Sequence, residues 1–514
     1  MMAKQPKNIM RFITESMRVI QTNYKIIGVF GLLFLFTFIE SCKSVERKVE
    51  LAPNIIFIIA DDMGPWTLSV NKDPNTYTPE LDKLAESGVI LRNCFASSAV
   101  CSPARASLIT GRYPSETGIT DFIPEGDSSG VNLSLIMFPE VFQKAGYSTA
   151  MVGKWHFGEH NPKFHPTQRG YDRFTGFPHG GMQSLSPRIQ VEGKWEIAEG
   201  AYTPDLLTNY AINYIKELNP TKTGKPLLLS LHYWAPHANT DFPKGMEPTY
   251  EGRSWLPMQD VDLERWKDYN IILPEPDFPN LDIPLTVRMA REYYSSVHSV
   301  DRNVGRLMKV LREFNLAENT IVIFTSDHGY NMGHNGLWHK GNGRWLTKDR
   351  VDPSGIYGTA RPNIYDNSIR VPCIIRWLGE IPPNMKVDET VSFPDFFPTL
   401  LEMARIEKPA GLLWRGESIL PLLRNEKIEW DNDLYAEYID LRAYRSNEWK
   451  IVLDFSEKQL HEFYNFKNDP KEHHNLLNSE ELVVLSNRKI MKEKLINIMK
   501  EINDPLLKKG YVNF

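Results

Sequence analysis

Two apolar runs in the chain end on acids. Asn54 to Ala60 leads straight into Asp61-Asp62, and Thr320 to Ser326 leads into Asp327-His328-Gly329. Parallel strands of one sheet would deliver these groups to a single edge, where three carboxylates repel one another unless a cation sits among them. Oxygen-rich clusters select hard divalent ions such as Ca²⁺ or Mg²⁺. An isolated Asp-Asp after a strand is an ordinary turn or helix cap. The recurrence of the pattern at Asp327 is what points to a metal.

A second group of chemistry-bearing residues lies in Cys101-Ser102-Pro103-Ala104-Arg105, just ahead of Leu108-Ile109-Thr110-Gly111-Arg112. Pro103 suits the first turn of a helix, and Gly111 with Pro114 suits its end, which puts Cys101 or Ser102 in the N-cap region. The free N–H groups of a helix start favour an anion beside Cys101. Arg105, one turn further on, adds a permanent positive charge. A buried structural thiol is the usual fate of a single cysteine, and the flanking Ser, Pro and Arg fit that poorly.

The elements that must position these groups read as α/β. Short aliphatic runs recur at Asn54 to Ala60, Ser148 to Val152, Leu227 to Leu231, Thr320 to Thr325 and Val371 to Ile375. Between them lie helical stretches, the clearest being Met289 to Leu311, where Tyr293, Val297, Val300, Val304, Leu307 and Leu311 fall on one face. Near-continuous apolar strands separated by helices predict a mostly parallel central sheet covered on both sides, with ligands beyond the carboxyl ends of its strands. From about Gly411 the texture changes to short aromatic and charged segments and a charged helix, Glu480 to Ile502. This predicts a smaller C-terminal α+β part, 411–514, containing an antiparallel sheet.

Composition bounds the rest. The chain has 514 residues, 42% hydrophobic and 24% charged, enough to bury a large core. Its 59 basic against 64 acidic residues argue against wholesale nucleic-acid binding. Four cysteines, Cys42, Cys94, Cys101 and Cys373, are too few for a disulfide scaffold and form no Cys-x-x-Cys pair. Lys4, Lys7, Arg11, Arg18 and Lys25 precede an uncharged run from Ile26 to Ile39. That run is short of the roughly 20 residues a membrane span needs and suits the core of an export signal. It closes on Glu40-Ser41-Cys42, which resembles a bacterial lipoprotein box, with Glu40 a departure from it. The expectation is a signal peptide over 1–41, a linker over 42–52, lipidation of Cys42, and a periplasmic or outer-membrane lipoprotein of a bacterium. An ordinary cleaved signal or a single anchor helix is the alternative, and Met10 or Met17 stays open as the start. Cleavage before Cys42 removes five basic and two acidic residues, taking the charge from −5 to −8. Positive charge should then concentrate around the reactive groups and be scarce elsewhere.

Cys-x-Pro-x-Arg followed by Leu-x-Thr-Gly-Arg resembles the signature of the type I, formylglycine-dependent sulfatases of the alkaline phosphatase-like superfamily. The Asp61-Asp62 and Asp327-His328 segments resemble that family's metal ligands. The resemblance runs from about Asn54 to Pro372 and into the C-terminal part. It implies the family's α/β fold, with 53–410 as the catalytic domain. It also implies that Cys101 is converted to formylglycine (3-oxoalanine), whose hydrate is the nucleophile and a metal ligand with Asp61, Asp62, Asp327 and His328. One Ca²⁺ per chain is the ion implied, ahead of Mg²⁺. Gly153-Lys154-Trp155-His156 matches the family segment in which Lys154 contacts sulfate and His156 assists at the hydrate. Ala235-Pro236-His237 matches the segment whose histidine serves the sulfate and leaving group, with His232 a nearby second choice. Trp338-His339-Lys340-Gly341 resembles the place of a second sulfate-binding lysine, Lys340, and Tyr365-Asp366-Asn367-Ser368-Ile369-Arg370-Val371-Pro372 follows as a landmark.

A sulfate ester needs fixed positive groups at its oxygens and a proton donor for the departing alkoxide, so these residue types suit the reaction. The expected partners are a sulfated polysaccharide or oligosaccharide substrate and a formylglycine-generating maturation enzyme. No nucleic acid is expected, and the membrane only through the lipid anchor. Competing readings are a phosphate or phosphonate monoester hydrolase of the same superfamily and a surface lipoprotein that binds sulfated glycan without cleaving it. Trp195, Trp255, Trp266, Arg344 and Trp345 are candidates for sugar contacts or for packing. Oligomeric state stays open.

Overall fold

Asn54–Ala60 (β1) is buried along its whole length, and alternate side chains enter different cores: Ile56, Ile58 and Ala60 one, Ile55, Phe57 and Ile59 the other. A strand of this kind is stable only between two covering layers. Both layers are present in the computed structural model, which describes residues 52–239 and 255–509. The signal segment and Cys42 lie outside the described residues.

Among these residues the main sheet has eleven strands. Its centre is parallel, with β8 (Thr320–Ser326), β1, β7 (Leu227–His232), β3 (Ser148–Lys154) and β4 (Arg173–Phe177) side by side in that order. On one flank β5 (Arg188–Val191) and β6 (Lys194–Ile197) add an antiparallel hairpin. On the other, β13 (Cys373–Arg376) runs antiparallel to β8 and to β2 (Val89–Phe95), which also pairs with β12 (Arg370–Val371) and β14 (Met385–Ser392). The run Val371 to Ile375, expected as one strand, is broken at Pro372, which has no N–H to donate to a ladder. In β2 and β14, Arg92-Asn93 and Asp388-Glu389 interrupt the apolar runs, so neither strand stands out by pattern. Cys94 of β2 and Cys373 of β13 are free and buried, with their thiols in contact.

The long helix spans Ile283–Glu313, six residues earlier than its apolar period indicates, because Asp282 caps it by accepting from the Leu285 amide. Its face from Tyr293 to Leu311 is buried against the sheet. Each such large apolar side chain contributes about 1.5–3 kcal/mol.

At the C-terminal end, β15 (Leu434–Tyr438), β16 (Leu441–Arg445), β17 (Trp449–Asp454) and β18 (Glu462–Asn465) form an antiparallel meander. One face packs on the helix Leu482–Glu501 through Tyr444, Ile451 and Leu453 with Met491 and Leu495. The other packs Ala436, Tyr438 and Ala443 against Phe95, Ala99 and Val100. The described residues from Ala52 onward therefore form one compact unit, with the meander as a layer of it. Cations are not confined to one cleft: Arg488, Lys489, Lys492 and Lys500 line a groove on the last helix, a correction to the charge distribution expected from the sequence. Such a face is what an amphipathic helix turns to water.

Candidate active site

The two acid-bearing strand ends meet. β1 and β8 pair in register, with Ala60 opposite Ser326, so Asp61-Asp62 and Asp327-His328 leave the same edge of the sheet together. The junction is stitched by Asp327 N–H to the Ala60 carbonyl, 3.0 Å, and Met63 N–H to Ser326 Oγ, 2.9 Å. Asp62 takes a left-handed conformation, φ 70°, as do His156 at 68° and His339 at 76°. Non-glycine residues held there cluster at functional sites.

Asp61, Cys101, Asp327 and His328 each offer one donor atom within 4.8 Å of the others, and Asp61, Asp62 and His237 form an overlapping group. His328 Nδ1 is hydrogen-bonded with the Gly329 carbonyl at 2.9 Å. Its Nε2 faces Asp327 Oδ1 at 3.3 Å and Asp62 Oδ1 at 3.4 Å. Asp61 Oδ1, Asp62 Oδ2 and His328 Nε2 are buried without a hydrogen-bond partner. Orphaned acceptors converging in a dry site cost free energy that a cation would recover, so these residues fit a divalent ion. Burial pushes the Asp61 carboxyl up, but Lys154, His237 and Arg105 outweigh it and hold it below the usual range. Burial also raises Asp62, where His237, Lys340 and His328 prevail and lower it. In Asp327 burial and the Asp61 charge win, and its pKa rises.

Cys101 is the first residue of the helix Cys101–Thr110. The N-cap is Val100, in extended conformation, and Ser102 Oγ is instead an acceptor for the Ile123 amide at 3.1 Å. The thiol is therefore one position inside the helix, at its positive end, rather than at the cap. Burial raises its pKa, but Lys154, Lys340, His156 and His237 pull it well below the ordinary value. Position 101 is thus built to carry negative charge. Lys340 Nζ lies 3.3 Å from Cys101 Sγ and also bonds Asp62 Oδ1. Lys154, fully buried at the end of β3, pairs with Asp61 Oδ2 at 2.6 Å and lies 4.9 Å over the Trp234 ring. Arg105 reaches Asp327 Oδ2 at 2.8 Å and the Lys154 carbonyl at 3.0 Å. It therefore braces the site from beneath and does not line the cavity.

The histidines separate by partner. His156 Nε2 is hydrogen-bonded with the Ile123 carbonyl at 2.9 Å, and its buried Nδ1 has no partner. Burial and Lys154 lower its pKa. His237 Nδ1 is hydrogen-bonded with the Ala238 carbonyl at 2.8 Å, its ring lies 4.1 Å from Trp234, and Nε2 faces Asp62 at 3.7 Å. His232, the second choice by sequence, is packed beneath the site beside Arg105 Nη1 at 3.3 Å, its pKa lowered to about 3 by burial and Arg105. A cavity of about 260 Å³ opens above these groups, lined by Cys101, His156, His237, His339, Lys340 and Asn342 with Phe122–Glu125 and Gly180–Gly181.

Lys340 reaches the cavity despite the long insertion after Gly341. β9 (Leu337–Trp338), β10 (Asn342–Trp345) and β11 (Ala360–Pro362) form a small sheet, and Asn363 Nδ2, at its return, donates to the Lys340 carbonyl at 3.0 Å. The downstream landmark clamps the same region: Gly329 N–H donates to the Ser368 carbonyl, and Asp366 pairs with Arg445 at 3.0 Å. His339 and Trp234 belong to the site without having been singled out by sequence. Each neighbours a motif residue, and adjacency to Lys340 and to Ala235-Pro236-His237 was the available signal. Trp255, Trp266 and Trp345 are buried packing residues, whereas Trp195 is 40% exposed.

Residues 53–406 match the family model described as Sulfatase. The chain belongs to the sulfatase family. As a sulfatase it is a sulfuric ester hydrolase, and residues 360–501 also match the model described as N-sulphoglucosamine sulphohydrolase, C-terminal. The sulfatase is 27% identical to an N-acetylglucosamine-6-O-sulfatase of Bacteroides thetaiotaomicron, over 86% of this chain and 86% of that one. It is 28% identical to an ulvan-active sulfatase of Formosa agariphila, over 94% and 88%. A solved structure in complex with its substrate D-glucosamine-2-N,6-O-disulfate shares the fold, with a TM-score of 0.69 and 24% identity over 88% of this chain and 99% of that one.

Proposed function

We propose that this sulfatase removes sulfate from a sulfated polysaccharide or oligosaccharide, with Cys101 matured to formylglycine and one Ca²⁺ held by Asp61, Asp62, Asp327 and His328. The observation that carries the reading is the convergence of Cys101, Lys340, His156 and His237 on one cavity of about 260 Å³ over the acid cluster, with Lys154 buried just behind them against Asp61. The relatives' action on N-acetylglucosamine-6-O-sulfate and on ulvan supports a glycan substrate. When bound, the cation adds positive charge and the hydrated aldehyde offers a nucleophilic oxygen at position 101.

The chain's own residues supply the rest. Lys340, 3.3 Å from Cys101 Sγ, and Lys154, whose charge also acts on position 101, bind the sulfate oxygens, where negative charge shifts during S–O cleavage. His237 lines the cavity, with Nε2 3.7 Å from Asp62, and gives a proton to the departing sugar oxygen. His156 has only Nδ1 free, and that atom takes a proton from the hydroxyl at position 101. Arg105 holds Asp61, Asp327 and the Lys154 backbone in place. Export, with lipidation of Cys42, and encounter with a formylglycine-generating enzyme belong to the same proposal.

Mass spectrometry of the peptide spanning Cys101, paired with sulfate release by the Cys101→Ala protein, tests it. The expected results are an aldehyde-containing residue at 101 and turnover lower by at least about 10³-fold in the variant. A free thiol in fully active protein would overturn the nucleophile.

A further inference from the structure

Gly180 and Gly181 form one wall of the cavity, and a side chain at Gly180 would put its Cβ 2.3 Å from His156 Nε2. The chain therefore passes His156 as bare backbone, and the residue before Gly180 is His179. The His179 ring is parallel to Trp195, centroids 5.9 Å apart at 10°, and the Arg188 guanidinium lies 4.6 Å from the centroid of the same indole. Backbone from Gly180 to His179, then the His179–Trp195 and Arg188–Trp195 contacts, thus lead from the cavity wall to an exposed arginine.

Topology says where that arginine stands. β5 runs antiparallel to β4, with Gly176 opposite Gln190, which brings Arg188 to the carboxyl edge of the sheet where Lys154 ends β3. One strand separates β3 from β5, so two inter-strand spacings set the two backbones about 10 Å apart. Arg188 is exposed, and among the described residues no carboxylate pairs with it. A guanidinium lying over an indole is partly ordered before anything binds, and its N–H edge matches an oxyanion. In a chain of net charge −5, an unpaired arginine at the same sheet edge as Lys154 is complementary to a second anion on a ligand that extends from the cavity along that edge.

Resting on the glycan reading above, we propose that Arg188, positioned by Trp195, binds a second anionic group on a sugar next to the sulfated one, so that the substrate class is a multiply charged glycan. The shared chemistry is an oxyanion, either a uronate carboxylate or a further sulfate ester. Trp195 acts through Arg188 and is a positioning residue.

The test compares wild type, Arg188→Ala, Arg188→Lys, Trp195→Ala and Trp195→Phe on 4-nitrophenyl sulfate, on oligosaccharides with one sulfate among neutral sugars, and on the same oligosaccharides carrying in addition a uronate or a second sulfate. For Arg188→Ala the ratio of kcat/KM on doubly against singly charged oligosaccharide should fall about tenfold, the size of one charge-assisted pair, with the change in KM. Arg188→Lys and Trp195→Phe should keep part of the ratio, and Trp195→Ala should lose as much as Arg188→Ala. The arm that responds, uronate or second sulfate, names the source. An unchanged ratio in Arg188→Ala, or equal losses on both oligosaccharides, overturns the proposal. Wild-type enzyme that cleaves 4-nitrophenyl sulfate but no oligosaccharide overturns the glycan reading, and this inference with it.

Discussion

His156 has one ring atom to spare. Nε2 is occupied by the Ile123 carbonyl and Nδ1 is buried without a partner, while burial and Lys154 lower the pKa. A base lowered in this way is neutral at pH 7 and is lost only on acidification below the ordinary histidine value. The acid limb of kcat/KM should accordingly have its midpoint below about 6.5. A pH profile with that midpoint above 6.5 would remove His156 from the role. Lys340 is the clearest charged contact to position 101, at 3.3 Å. Replacing it by Met keeps the length and removes the charge, and kcat should fall by about 10²–10³, the usual loss of one preorganised donor. A loss below fivefold in steady-state assays would assign Lys340 to structure alone.

At the scale of elements, β3 delivers Lys154 and His156 only because it begins its exit on Gly153. That residue has φ 105°, and a Cβ there would lie 1.8 Å from the His232 carbonyl oxygen. Gly146, at φ 90° in the preceding turn, has open space around the same atom. Both substitutions to Ala strain the backbone, but only Gly153→Ala also drives two strands apart. We expect Gly146→Ala to cost about 1 kcal/mol and Gly153→Ala several times more, read from thermal or denaturant unfolding. Comparable losses at the two positions would contradict the close packing of β3 on β7.

The whole molecule depends on charges gathered from distant parts of the chain and on a second layer supplied by its C-terminal part. With chelator, Asp61, Asp62 and Asp327 are left facing one another, and activity should vanish. Tm should drop as well, by an amount that follows the linkage relation and corresponds to about 2.7 kcal/mol at a hundredfold excess of ion over Kd. Calcium should restore both, and full activity after exhaustive chelation would remove the metal. Truncation after Ala410 should yield insoluble or inactive protein, because it uncovers Phe95, Ala99 and Val100 directly before Cys101. A soluble, active 53–410 fragment would show that the meander is dispensable.

Much of this site was legible in one dimension, because each reactive group sits in a short motif whose local geometry is set by its neighbours. Asp61-Asp62 and Asp327-His328 end strands, Cys101 starts a helix, and Lys154 follows a glycine. Residue identity and period carry that information directly. What the sequence could not express was distance. Sequence already ranked His237 ahead of His232, and what the fold adds is where each sits: His232 lies beside Arg105 and the Lys154 carbonyl, while His237 lines the cavity. Lys340 reached the cavity through a hairpin whose pairing is set by backbone hydrogen bonds. The contact of Arg188 with Trp195 and His179 depends on strand register, in which a slip of one residue would turn the side chains to the other face. The motifs, through their resemblance to a known signature, therefore pointed to the family, and their residue types to the chemistry expected of it. Only the tertiary structure decided which charges face position 101, because Coulomb and hydrogen-bond energies depend on separations that chain neighbours do not fix.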